Sequence, residues 1–228
     1  MMNAMYSGYI KEIKEKRLWI PLLLELAFVI LVRIVSLETR LYLYFVFYAL
    51  IVLFFHEALS LKHFREGLRW SVRDRRITIA TAVIMLLVFF FHEKLNAFLF
   101  LHISRSPGLV SVKTSTLPEY VLYAVTMSIL MPLAEGTFFR KALVSFENRQ
   151  LTAVTTVFGL LLAVLLYAIS PVGVISLLIP LVPVTVCFLL TKNVYLSIIA
   201  HLFYCVPFYM EFAGYEMLRV LFRWMITD

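Results

Sequence analysis

Apolar residues along the chain gather into seven runs, at 18–36, 41–61, 77–91, 120–146, 151–170, 172–190 and 194 to about 213. Most are close to the ~20 residues a helix needs to cross the hydrocarbon layer of a bilayer. Polar residues fall between the runs, and the one long polar connection, 102–119, carries Pro107, Gly108 and Pro118, which predicts an irregular segment there. After 213 the pattern changes. Met217, Val220, Leu221, Trp224 and Met225 recur at helical spacing, with Arg219 and Arg223 on another face, which predicts a short amphipathic helix lying in the membrane interface. The expected fold class is all-α: a polytopic transmembrane bundle of about seven spans plus a C-terminal interfacial helix. Four stretches follow: a basic N-terminus at 1–17, N-terminal transmembrane helices and a loop at 18–118, a core at 119–213, and an amphipathic tail at 214–228.

Composition agrees with this pattern. The chain has 228 residues, of which 62% are hydrophobic, and its mean hydropathy is +0.92. That exceeds the roughly half apolar content of soluble domains, so the bilayer is its expected partner and solvent. A net charge of +7 could suggest nucleic acid. The cations instead follow the positive-inside rule. Lys11, Lys14, Lys16 and Arg17 precede the first run, and Lys62, Arg65, Arg69, Arg73, Arg75 and Arg76 lie between the second and third. Both groups are cytoplasmic if the N-terminus is inside; Glu38 and Arg40 then face outward, and 146–150 and Lys192 face inward. No nucleic-acid partner is expected. The run at 18–36 is too long for a signal-peptide core and lacks a small-residue cleavage site, so it is expected to stay as a membrane helix. Cys187 and Cys205 fall inside runs and read as buried small residues rather than a disulfide framework.

Ionisable residues inside the runs are the candidates for chemistry, because each costs at least ~2.5 kcal/mol to insert. Glu25 and Arg33 share a helical face but sit about 12 Å apart along the axis, so each is expected to pair with another helix. His56, Glu57, His92 and Glu93 lie close enough to run ends to reach water. None of the five histidines belongs to an HExxH pair, so no zinc site of that kind is indicated. Glu135 and His201 lie deeper. Measured from Phe146 and Asn193, they rise roughly 16 Å and 12 Å along helices of opposite direction. A carboxyl and an imidazole at matched depth can share a proton and hold a water for general acid-base hydrolysis, or can simply join two helices. Pro132 removes a backbone donor three residues before Glu135, which predicts a kink, and Gly136 allows close approach of another group. Arg140 follows Glu135 by five residues, about 140° around an α-helix, which predicts that it does not pair with Glu135. His201 and Cys205, four apart, share a face.

The stretch from Pro132 through Leu, Ala, Glu135, Gly136, Thr, Phe and Phe139 to Arg140 resembles the first motif of the CAAX-processing and bacteriocin-processing (CPBP, or Abi) membrane proteases. That motif is a proline three before a Glu-Glu pair, then three residues and an arginine after phenylalanine. The approach from Thr191 to His201 is similar to the family's last motif, in which His is followed four residues later by Asn. The likeness covers roughly 120–208. It implies a membrane-embedded glutamic endopeptidase opening towards the cytoplasm, acting on a peptide or membrane protein, with or without an attached lipid. Glu135 would activate water, His201 would stabilise the oxyanion, a contribution of ~3 to 4 kcal/mol in other enzymes, and Arg140 would support them. No cofactor is expected, although the family's former description as metalloproteases leaves a divalent ion open.

The chain departs from the family pattern at three points. Gly136 stands for the second Glu, and Cys205 for the Asn of the last motif, a weaker hydrogen-bonding group. The middle motif needs a histidine, and 151–191 contains none; Ser170 is nearest in spacing, ~27 Å up its helix. Three functions are thus open. One is an endopeptidase with a reduced site. A second is a pseudoprotease that binds a membrane peptide, prenylated tail or partner protein in an immunity, sorting or chaperone role. The third is a transporter or channel, for which matching halves with interrupted helices are not visible in the sequence.

Overall fold

The computed structural model describes residues 16–71, 75–102 and 108–227. All seven apolar runs form helices: α1 (Trp19–Ile34), α2 (Leu37–Phe54), α4 (Arg75–His102), α5 (Leu117–Ala142), α6 (Arg149–Leu165), α7 (Pro171–Thr191) and α8 (Val194–Thr227). An eighth helix, α3 (Leu61–Ser71), forms where the sequence suggested only a charged connection. Among the described residues no strand occurs, only an isolated antiparallel bridge between Leu109 and Ala168. Among the described residues three helices, α2, α5 and α7, are long and apolar enough to cross a membrane. Shorter apolar stretches at Thr78–Val88, Arg149–Leu165 and Val194–Pro207 lie beside them. The tail predicted as a separate interfacial helix continues α8 without a break. Its side chains beyond 218, among them Arg219, Val220, Leu221, Arg223, Trp224 and Met225, lie outside the described residues, as do the cations Lys11, Lys14 and Arg73 and the part of the long connection from Ser104 to Pro107.

Helix ends are set by short polar residues. Glu119 accepts the Ser115 and Thr116 N–H groups at 2.7 and 3.0 Å, starting α5. Asn148 accepts from Leu151 N–H at 2.9 Å to cap α6, and Ser170 accepts from Gly173 N–H at 3.3 Å to cap α7, whose first residue is Pro171. Lys192, in the left-handed region at φ 51°, closes α7 before α8 begins.

The connections sort into two groups. At one end the 108–116 segment lies over the α6–α7 turn, with Gly108 at φ 61° accepting from Ile169 and Ser170 N–H, and Val110 N–H donating to the Tyr167 carbonyl at 2.7 Å. The α1–α2 connection joins the same group: Arg40 donates to the Ser111 carbonyl at 3.1 Å, and Lys113 bonds Glu38 at 2.7 Å. Arg33 donates to the carbonyls of Leu165 and Ala168 at 2.8 and 3.0 Å, satisfying the C-terminal turn of α6. At the other end α3 docks on the start of α8. Asn193 donates to the Gly67 carbonyl at 2.7 Å, Tyr195 O–H to that of Ala58 at 2.8 Å, and Phe64 meets the Tyr195 ring edge-on at 5.5 Å. Lys62, Arg65 and Arg69 on the outer face of α3 are exposed.

Between the ends, α8 packs on α5 and α7, and α2 on α1 and α5. The core there is aromatic, with Phe28 stacked on Phe47 at 4.3 Å and Tyr44 on Tyr167 at 5.3 Å.

Candidate functional site

The middle of α5 is not a regular α-helix. Pro132 has no N–H to give, and the helix takes up a π-turn over Thr126–Leu130, with Met131 N–H donating to the Thr126 carbonyl five residues back. A second π-segment runs over Gly136–Ala142 and ends with Leu143 N–H donating to the Phe138 carbonyl at 3.2 Å. Glu135 is the last residue of the α-helical piece between them. The kink expected from Pro132 is thus realised as two wide turns that flank the carboxylate.

Three of the sequence-predicted residues converge here. Glu135 Oε2 lies 3.8 Å from His201 Nδ1 and 3.9 Å from an Arg140 terminal nitrogen. Placement of His201 follows from α8 packing along α5, where Gly136 presents no side chain and Ile198 fills the space a Cβ would occupy. Arg140 was expected to point away from Glu135; that expectation fails because a π-turn brings position i+5 back over position i, whereas an α-helix carries it to another face. Cys205, one turn past His201, is wholly buried and within electrostatic range of Glu135 and Arg140.

Ser170 does not join them. It caps α7, fifteen residues and about 22 Å from Thr185, the α7 residue that reaches the level of Arg140. Its distance up the helix agrees with the spacing read from the sequence, and its hydroxyl accepts from Gly173 N–H as the helix cap. α6 brings Thr156 and Gly159 to the site instead. Together with Phe139, Arg140, Val144 and Thr185 they line a cavity of about 10 Å³ on the far side of Arg140, which Glu135 and His201 do not line. A Cβ on Gly159 would come 2.6 Å from the Phe139 carbonyl oxygen, so this glycine lets α6 sit directly against the second π-segment.

The cluster is enclosed. Glu135, His201 and Arg140 are 1%, 2% and 3% exposed, in place of the open cytoplasmic mouth that the resemblance implied. Among the described residues, Glu135 Oε2, His201 Nδ1, Thr156 Oγ1 and two Arg140 nitrogens, Nε and Nη1, have no hydrogen-bond partner. Unpaired polar atoms this deep are costly to bury. Two guanidinium nitrogens and an imidazole nitrogen can receive a developing oxyanion, and the carboxylate can accept a proton from water. Among the described residues no group of three or more His, Cys, Asp or Glu side chains is placed to hold a metal ion.

Sequence reasoning passed over Thr156 and Thr185. The two threonines carry only the weak signal of hydroxyls set within apolar runs. Glu25, expected to pair with another helix, has both carboxyl oxygens unpartnered among the described residues.

Compared with known proteins, the chain matches no family model, no curated protein and no solved structure.

Proposed function

We propose that this protein is a membrane-embedded endopeptidase of the CPBP type that hydrolyses a peptide bond with a water activated by Glu135. The observation that carries this reading is the convergence of Glu135, His201 and Arg140 at one buried point between α5 and α8. In the proposed reaction Glu135 takes a proton from water as the oxygen bonds to the scissile carbonyl carbon. Its oxyanion is met by His201 and the unpaired Arg140 nitrogens, and the departing amine takes the proton back as the C–N bond breaks. The 3.8 and 3.9 Å separations exceed hydrogen-bond length and would tighten around substrate. With Gly136 and Cys205 in place of a Glu and an Asn, turnover is slow, since one lost oxyanion donor alone costs ~100 to 1000-fold.

The membrane arrangement belongs to the same proposal: about seven spans with the N-terminus in the cytoplasm. Support comes from the sorting of connections into two ends, one of them carrying Lys62, Arg65, Arg69, Lys141 and Lys192.

A second reading, a pseudoprotease that binds a membrane peptide, lipidated tail or partner without cutting it, is favoured by one observation. Ile198 occupies the place where a side chain at 136 would begin. Cleavage of a membrane-tethered reporter by purified protein in liposomes separates the two. Loss of cleavage in Glu135→Gln and His201→Ala, both still inserted, supports the protease. Reporter capture that survives Glu135→Gln with no cleavage by the unaltered protein supports the pseudoprotease.

A further inference from the structure

Glu135 and His201 are enclosed, yet cleavage of a peptide bond requires peptide and water to reach them. Most of the packing around them is held too firmly to part. α6 lies directly on the second π-segment, where a Cβ on Gly159 would meet the Phe139 carbonyl, and Phe28, Tyr44 and Phe47 interlock α1 with α2. α3 is held differently. None of its described side chains is buried, and Leu61, Lys62, Arg65 and Arg69 are exposed. Among the described residues, α3 and the turn before it are tied to the start of α8 by Asn193 bonding the Gly67 carbonyl, Tyr195 O–H bonding the Ala58 carbonyl, and Phe64 meeting the Tyr195 ring edge-on. Elements with few buried apolar contacts open at low free energy, and active-site lids are drawn from them.

What α3 covers lies next to the site. Leu59 and Phe64 pack with Tyr195, Ile198, Leu133 and Leu202 in a small apolar cluster separate from the main core. Ala134, Ala200 and Cys205 belong to the main core. Glu135 follows Leu133 and Ala134, and His201 stands between Ala200 and Leu202, so the pair lies at the seam between the two clusters. Ile198 crosses that seam to fill the space beside Gly136. A continuous line of contact thus runs from Phe64 on α3 through Tyr195 and Ile198 to the residue after Glu135.

We propose that α3 is a lid: its release from α8 parts the small cluster and opens the Glu135–His201 pair towards the Lys62 end of the bundle. The purpose of the lid, admission of peptide and water, rests on the protease reading; the movement itself does not. Tyr195 is the latch, because its hydroxyl holds the turn before α3 and its ring holds α3 itself. Gly67 sets the fit of that latch, since a Cβ there would run into the Tyr195 ring.

The native Cys205, wholly buried one turn past His201, reports the opening without any catalysis. Its modification by methyl methanethiosulfonate is followed by mass spectrometry in the full chain in nanodiscs, beside cleavage of the reporter. Gly67→Val should release α3 and speed labelling of Cys205 by roughly 5- to 150-fold, the shift that overpacking one side chain produces in a two-state equilibrium. Tyr195→Phe, which removes only the bond to Ala58, should shift it in the same direction by less. A disulfide joining Gly67→Cys to Tyr195→Cys should suppress labelling of Cys205 and stop cleavage, and reduction should restore both. Cys187, in the main core on α7, should stay unlabelled throughout. If Gly67→Val exposes both thiols it has unfolded the bundle, and Tyr195→Phe and the disulfide decide. Labelling of Cys205 that ignores the state of the disulfide, or cleavage that continues while it is closed, overturns the lid. If the unaltered protein cleaves nothing, the protease reading falls, and the labelling of Cys205 alone decides whether α3 opens.

Discussion

Arg140 and Glu135 lie on one face of α5, 3.9 Å apart and both buried, although five residues separate them. Removing one partner of a buried ion pair costs ~3 to 5 kcal/mol, because the other charge is left unsatisfied, whereas removing both is far milder. Arg140→Met should therefore lower stability by about that amount, and Glu135→Gln added to it should recover most of the loss. Thermal unfolding of the two single variants and the double variant in detergent checks this; additive losses would mean that the pair is not coupled.

That pairing was illegible in the sequence for a definite reason. Helical-wheel reasoning assumes a constant turn, and the two π-segments around Pro132 and Gly136 break the assumption where the function is expected. The helices themselves were legible, since seven apolar runs became seven helices, and so was the approach of Glu135 and His201, because matched depth depends on rise and not on rotation. α3 was hidden by its charge. Lys62, Arg65 and Arg69 read as a polar connection, while the docking of Phe64 and Gly67 on Tyr195 depends on a contact more than a hundred residues away. The isolation of Glu25 was also invisible, since a sequence reveals a buried carboxylate but not the lack of a partner.

Gly136 carries the second prediction. A Cβ there would collide with the Ile198 side chain, itself fully buried, so Gly136→Ala should destabilise by roughly 1 to 3 kcal/mol through overpacking. Ile198→Ala should relieve it. By the same geometry Gly136→Glu alone should not rebuild a Glu pair, and only the combination with Ile198→Ala makes room for the longer side chain. Denaturation midpoints of Gly136→Ala, Ile198→Ala and their double variant, set against the unaltered protein, measure the coupling. Equal effects of Gly136→Ala with and without Ile198→Ala would refute the contact.

The exposed end of the bundle gives a pH dependence. Lys113 bonds Glu38 at 2.7 Å, and this partner raises the lysine above its ordinary value. A raised folded value means that the contribution is fully present below ~10.4, the unfolded lysine value. It is lost as the pH climbs through the folded value. Amide exchange in the 108–116 segment, corrected for intrinsic rates, should be flat through neutral pH and accelerate in the alkaline range, and Lys113→Met should abolish that step. Both groups are exposed, so high salt should shrink the effect.

The two groups of connections yield the last prediction. Ser111 accepts a bond from Arg40, and Gly67 accepts one from Asn193, so the two positions mark opposite ends of the helices. The native Cys187 and Cys205 are both buried, so a membrane-impermeant maleimide should leave them unlabelled in the folded protein. Against that silent background, cysteines placed at Ser111 and at Lys62 should react from opposite sides of a sealed vesicle. The Lys62 side, which carries the exposed Arg65 and Arg69 of α3, should be cytoplasmic. Labelling of both positions from one side would mean that the helices between them do not cross, and the bundle would have to lie on the membrane instead of through it.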